Sequence, residues 1–223
     1  MLDQQYVCEA LASLVRIARG SGAAVRGFDE YQVLEALRLM VRGPLGRPTL
    51  EREIGIGEAS AKTLLRSLRE AGLAERCGTA HCVTEKGLAV VKALREICII
   101  GPLETDLPGD LSKIVLAASS AIEPPIDVVS VHHVRDHLVA RSCKPVVIGA
   151  YWPPETVRFP GVPPETERAL VEVALEAFAR AQCAIESERG AALVLAPHRC
   201  GSKAAAALIA AAAEKCLAGK PRP

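Results

Sequence analysis

Aromatic side chains make up only 3% of this 223-residue chain. That is too few to line a barrel or sandwich of ring-burying strands, so the core must be built from aliphatic groups and the abundant alanine. Helices are expected to dominate. Every long apolar stretch is interrupted by charge well short of the roughly 20 residues needed to cross a bilayer, and acidic Asp3 and Glu9 stand where a basic leader would be. The expectation is a cytoplasmic chain, neither exported nor membrane-anchored. Charge of one sign is also missing. The formal net charge is +1, so no whole-chain basic field argues for nucleic acid. Through residue 97, 14 Lys and Arg face 12 Asp and Glu, an imbalance too small to decide anything. Eight cysteines are present (Cys8, Cys77, Cys82, Cys98, Cys143, Cys183, Cys200 and Cys216), but none forms a Cys-x-x-Cys pair. Their scatter predicts no disulfide framework and a reducing compartment.

Catalytic motifs are scarce too. Gly55-Ile56-Gly57 has a helical pattern on both sides and lacks the third glycine of a dinucleotide-binding turn, and no serine nucleophile elbow occurs. The expectation is a protein that is not an enzyme and needs no cofactor. The alternative is a small α/β enzyme using His132, Arg135 and Asp136, whose activity would survive deletion of residues 1 to 97.

The length suits two small domains better than one large one. Val7, Leu11, Leu14, Val15 and Ala18 recur at helical spacing and predict an amphipathic helix over about 3–19, stopped by Gly20. Asp29 is placed to cap a second helix that turns Val33, Leu34, Leu37 and Met40 inward until Gly43-Pro44. Between 97 and 112 the helical period is lost among Gly101-Pro102, Pro108-Gly109 and several acidic residues. This divides the chain into domains at 1–97 and 113–223, with 98–112 as linker. In the second domain Ile114–Ala118, Pro145–Tyr151 and Ala192–Ala196 read as short strands, and 128–142, a stretch around 170–181 and about 203–217 as helices. Strands alternating with helices predict a small α/β domain with a mixed or parallel sheet.

The segment from Pro48 to Ser60 reads as a capping Thr49, a short helix and a glycine-containing break, as a tight corner between helices requires. Ala61, Leu64, Leu65 and Leu68 follow at i, i+3, i+4 and i+7, one buried face of a third helix. Its opposite face carries Glu58, Ser60, Lys62, Thr63, Arg66 and Arg69, groups able to reach base edges or phosphates in a major groove. Gly72 ends that helix, and a hairpin follows: strand 74–77, turn 78–81, strand 82–84. Arg76 and His81 lie on the hairpin. Thr84 caps a fourth helix that turns Val90, Leu94 and Ile97 the same way. Leu-x-x-x-x-Gly-Ile-Gly at 50–57, Leu-Leu-Arg-x-Leu-x-x-x-Gly-Leu at 64–73 and Val-Thr-x-Lys-Gly at 83–87 together resemble the winged-helix regulators of bacteria and archaea. The whole layout resembles archaeal winged-helix proteins with an uncharacterised C-terminal α/β domain. The resemblance implies a transcriptional regulator with an N-terminal helix and a winged helix-turn-helix, binding double-stranded DNA as a homodimer through Thr49, Ser60, Lys62, Thr63, Arg66, Arg69, Arg76 and His81. Leu11 and Leu14 of the first helix, or the second domain, would supply the dimer contact. Glu51, Glu53 and Glu58 near the reading face keep open a module that binds protein or RNA instead.

In the second half Tyr151, Trp152 and Phe159 fall within nine residues, just after a strand. With Arg135 they form the candidate site for a small-molecule effector; the alternative is a loop that only seals a core edge. His133 and His137 are spaced i, i+4 as metal ligands can be, and Cys77 and Cys82, with His81, flank a turn across which the two cysteines can face each other; neither set completes a coordination sphere, so no metal is expected, and metal or redox sensing at the cysteines is the alternative.

Overall fold

The computed structural model describes residues 4–20, 26–95, 97–120, 128–152, 156–180 and 190–218. It is α+β, with eight α-helices and two antiparallel sheets among the described residues. The chain divides into two compact units, Met1–Leu94 and Arg95–Pro223.

The first unit holds α1 (Gln4–Arg19), α2 (Glu30–Arg42), α3 (Arg47–Ile54), α4 (Glu58–Glu70), the strands β1 (Ala74–Cys77) and β2 (Ala80–Val83), and α5 (Glu85–Ala93). Local chemistry sets the ends of these helices. Asp29 accepts from the Gln32 backbone N–H at 2.9 Å while the Gln32 side chain accepts from the Asp29 N–H, a reciprocal cap that starts α2. Gly55 closes α3 in the left-handed region at φ 72°, donating to the Glu51 carbonyl. The Thr84 hydroxyl accepts from Gly87 N–H at 3.1 Å and donates to the Gly72 carbonyl at 2.7 Å, capping α5 and tying it to the end of α4. Leu11, Leu14, Leu34, Leu37, Leu50, Leu64, Leu68 and Leu73 form the core of this unit, each at most 1% exposed. Arg26 spans it, donating to the Ile17 carbonyl at 2.9 Å and to the buried Ser67 hydroxyl at 2.6 Å.

The second unit holds β3 (Ile97–Glu104), β4 (Lys113–Ser119), α6 (Val128–Ala140), β5 (Val147–Trp152), β6 (Thr156–Arg158), α7 (Pro164–Arg180), β7 (Ala191–Pro197) and α8 (Gly201–Ala218). The sheet order is β3-β4-β7-β5-β6. Alternate residues of each strand point to opposite faces. Ile114, Leu116, Ala118, Leu193 and Leu195 pack on α7 through Leu170, Ala174 and Ala177. The other face, with Val115 and Ile99 beside Gly201, meets α8. The outer helix α6 packs against α8 rather than against the sheet. A helix covered on both sides has no solvent face, and residues 204–213 are accordingly buried without interruption. Alanine at eight of those ten positions lets the sheet and α6 approach closely.

The structure departs from expectation in several places. The sheet is antiparallel throughout, not mixed or parallel. β4 and β5, the strands joined through α6, do run the same way, but β7 inserts between them and pairs antiparallel with both. The first half of the expected linker 98–112 is sheet: β3 is an edge strand on β4 with a register shift between Ile100 and Leu103. That shift absorbs Pro102, which has no N–H to offer a ladder, and Gly101 at φ 135°, where a Cβ would meet the Ile114 carbonyl oxygen at 3.2 Å. Ile97 belongs to β3 and not to the helix before it. Gly46, not Thr49, is the N-cap of α3; the helix starts three residues earlier, and Pro48 in its first turn is already set for helical φ.

Candidate nucleic-acid interface

In the first unit, α3, the Gly55-Ile56-Gly57 corner and α4 are followed at once by the β1-β2 hairpin. Ile56 is buried beneath the corner, and the Gln32 side chain donates to the Ile54 carbonyl at 3.3 Å, fastening α3 to α2. Ala61, Leu64, Leu65 and Leu68 are buried, so α4 turns its other face outward, with Glu58, Lys62, Arg66, Arg69 and Glu70 exposed. The hairpin turn is the two residues Gly78-Thr79, tighter than expected, so His81 lies inside β2 opposite Arg76. Leu45 adds a third rung: its N–H donates to the His81 carbonyl at 2.8 Å and its carbonyl accepts from the His81 N–H at 3.0 Å.

Electrostatics divide the expected contact residues. Lys62 and Arg69 on α4 and Arg76 on β1 are exposed and have no carboxylate partner among the described residues. Arg66 lies 3.8 Å from Glu70 and Arg47 lies 3.6 Å from Glu58, exposed pairs worth little energy that nonetheless offset some of the positive potential. Thr63 returns its hydroxyl to the Ala59 carbonyl at 2.9 Å, and Thr49 is half-buried inside α3. Ser60 is turned inward: its hydroxyl occupies the space where a Cβ on Gly27 would sit, which removes it from the outward face of α4. Burial lowers the His81 pKa below its ordinary 6.5, and nearby Arg69 and then Arg76 push it the same way against a backbone contact at Leu45. Its Nδ1 is buried without a hydrogen-bond partner. His81 is therefore a neutral packing residue near neutral pH rather than a cationic contact.

The second unit does not assemble the expected effector site. Phe159 is fully buried, its ring lying over Gly149, where a Cβ would collide with it, and its N–H donates to the Glu167 carboxylate at 2.9 Å. Tyr151 leans on Phe178 with ring centroids 5.2 Å apart, and Trp152 is half-buried at the end of β5. Tyr151, Phe159 and Phe178 belong to the α7 side of the sheet, and Trp152, the next residue along β5 after Tyr151, falls on the alternate side. Arg135 is exposed on α6, beyond the opposite face. The aromatics seal a core edge, and Arg135 does not join them.

One cluster was invisible along the chain. Glu214 of α8 receives His133 Nδ1 at 3.0 Å and His137 Nε2 at 3.1 Å. Arg141 Nη1 lies 3.3 Å from His137 Nδ1 and donates to it, which assigns the His137 proton to Nε2, facing the carboxylate. Metal ligation through Nε2 would need the proton on Nδ1, against the guanidinium. The trio is a tie between α6 and α8, and among the described residues no group of three is arranged to hold a metal ion. His132 and Asp136, exposed on α6, do not join it.

The cysteines overturn a further expectation. Cys77 and Cys82 are disulfide-bonded with Cα atoms 5.9 Å apart, Cys143 and Cys200 are bonded across 57 residues, and no described cysteine is free. The sequence set Cys77 and Cys82 on either side of a turn, but nothing along the chain relates Cys143 to Cys200, which the second unit's fold brings together. The argument for a reducing compartment loses its ground. No described helix is long and apolar enough to cross a membrane. Leu11 and Leu14, expected at a dimer contact, are instead inside the first unit's own core.

No protein-family model and no curated protein matches the chain. Among solved structures, the hypothetical protein PH0730 from Pyrococcus horikoshii OT3 is similar, with a TM-score of 0.54 and 24% identity over 82% of this chain and 89% of that one. At that identity the likeness is one of fold.

Proposed function

We propose that the first unit is a winged helix-turn-helix that binds duplex DNA and that the chain is a transcriptional regulator. The observation that carries this reading is the nearness of exposed cations on adjoining elements: Arg69, on the exposed face of α4 with Lys62 and Arg66, and Arg76 of the hairpin both lie close enough to His81 to act on its charge. A helix with its apolar face buried and small polar or cationic groups outward fits a major groove, and a hairpin beside it is placed to meet the backbone. The nearby Glu58 and Glu70 lower the affinity of one copy, so two copies on related half-sites are the arrangement that yields tight binding. The second unit would then join the copies.

Selection of bound duplexes from a random pool tests the reading. It should enrich a motif with two related halves, and Arg66→Ala should relax the preference at one base pair in each half by about 1–3 kcal/mol. A pool that shows neither enrichment nor a salt-sensitive mobility shift would sink it.

A further inference from the structure

We propose that the Cys77–Cys82 disulfide is a reversible redox site that controls the hairpin's grip on nucleic acid; this rests on the DNA-binding reading of the first unit. The register places Glu75 opposite Cys82, Arg76 opposite His81 and Cys77 opposite Ala80. Facing residues share a side of a hairpin, so Cys77 and Cys82 stand diagonally on one face while Arg76 and His81 occupy the other. The bond therefore lies on the side of exposed Glu75 and leaves the side that carries Arg76 clear of it.

Two features make this bond the one a reductant would find. Both its cysteines are partly exposed, as are the disulfide-bonded Cys8, Cys98 and Cys216, whereas Cys143 and Cys200 are buried at 0% and 2% exposure; the Cys77–Cys82 bond is the accessible one that lies in the hairpin. Thiol–disulfide exchange needs access to a sulfur. The staple also closes the least supported end of the hairpin: the strands have four residues each, β1 starts at buried Ala74 against α4 and β2 packs on α2, but Gly78 and Thr79 of the turn beside Cys77 are exposed. The Leu45 rung secures β2 at His81, but among the described residues no other strand supports β1 beyond its pairing with β2. Cutting the bond leaves the turn at Gly78-Thr79 and Arg76 beside it free to sample other conformations, and binding must then supply the cost of ordering them.

The reductant is a protein or small-molecule dithiol. One of its thiolates attacks a sulfur of the pair and breaks the Cys77–Cys82 bond; its second thiol resolves the mixed disulfide. Two electrons and two protons pass to Cys77 and Cys82, which become thiols, and the dithiol leaves as its own disulfide.

The experiment measures binding of the full chain to a duplex recovered by selection, after oxidation and after treatment with dithiothreitol, with alkylation and peptide mass spectrometry reporting the state of each cysteine. The expected result is that Cys77 and Cys82 become alkylated before Cys143 and Cys200, and that affinity falls about fivefold on reduction. The C77S/C82S double variant should bind like the reduced chain and ignore dithiothreitol, which separates the hairpin from every other disulfide. Equal affinity of the oxidised and reduced chains, or a double variant that still responds to dithiothreitol, overturns the redox control while leaving the DNA reading intact. Failure to bind any duplex in either state overturns both.

Discussion

Arg76→Ala removes one cation from the hairpin and leaves the helix proposed to read bases untouched. The side chain is exposed and its hydrogen bond, to the Gly78 carbonyl at 3.3 Å, lies within the turn, so the fold should survive. The proposed surface presents Lys62, Arg66, Arg69 and Arg76. If each neutralised one phosphate, the logarithm of affinity would fall against the logarithm of salt with a slope of about −3.6 per copy. A rise from about 50 to about 200 mM salt would then weaken binding about 150-fold. Without Arg76 the slope should become about −2.7 and the same rise should cost about 40-fold. Fluorescence anisotropy with a labelled duplex across that salt range measures both quantities, on a selected sequence and on a scrambled one. The loss should be the same on both, because a phosphate contact carries no sequence information. An unchanged slope, or a loss confined to the selected sequence, would refute the placement of the hairpin on the backbone. Arg66 should contribute less than one full unit, since Glu70 lies 3.8 Å away.

Thr84→Ala should destabilise the first unit by about 1–2 kcal/mol, because it deletes both the cap on Gly87 and the link to the Gly72 carbonyl. Thr84→Ser keeps the hydroxyl and should recover most of that loss in thermal melts; equal losses in the two variants would assign the effect to the methyl group instead. A second outcome concerns pH. His81 has its pKa lowered in the fold, chiefly by burial, so as pH falls below about 6.5 the unfolded chain takes up a proton before the folded one does. Stability is therefore complete above that pH and declines beneath it. Denaturant midpoints at about pH 7.5 and about pH 5.5 should differ more in the unchanged protein than in His81→Gln, and parallel behaviour would dismiss His81 as the cause.

Features governed by near neighbours in the chain were legible. Asp29 before a periodic apolar run, Gly55 between two such runs, and Thr84 three residues ahead of Gly87 each act within one helical turn, and each is found in its expected role. The buried stripe Ala61, Leu64, Leu65 and Leu68 is likewise a property of spacing. The proposed contact face was only partly legible. Lys62, Arg66 and Arg69 are outward because they oppose that stripe, but nothing local to Ser60 announces that Gly27, 33 residues earlier, leaves a hollow for its hydroxyl. β3 escaped notice because a Gly-Pro step reads as a loop until an edge strand with a register shift accommodates it, and three-residue β6 is too short to show a period.

Amino-acid order alone determined where most helices lie, where the first unit's glycine corner falls, and which side of α4 is apolar, because helix periodicity and caps operate over a few residues. The tertiary structure decided what each element meets. β7 separates two strands that would otherwise lie parallel, α8 is enclosed between sheet and outer helix, and Glu214 reaches two histidines far back in the chain. Cys77 and Cys82 become partners only when their hairpin registers. Such pairings depend on which apolar faces bury one another across long sequence separations, and that is settled by packing of the whole unit rather than by any local pattern.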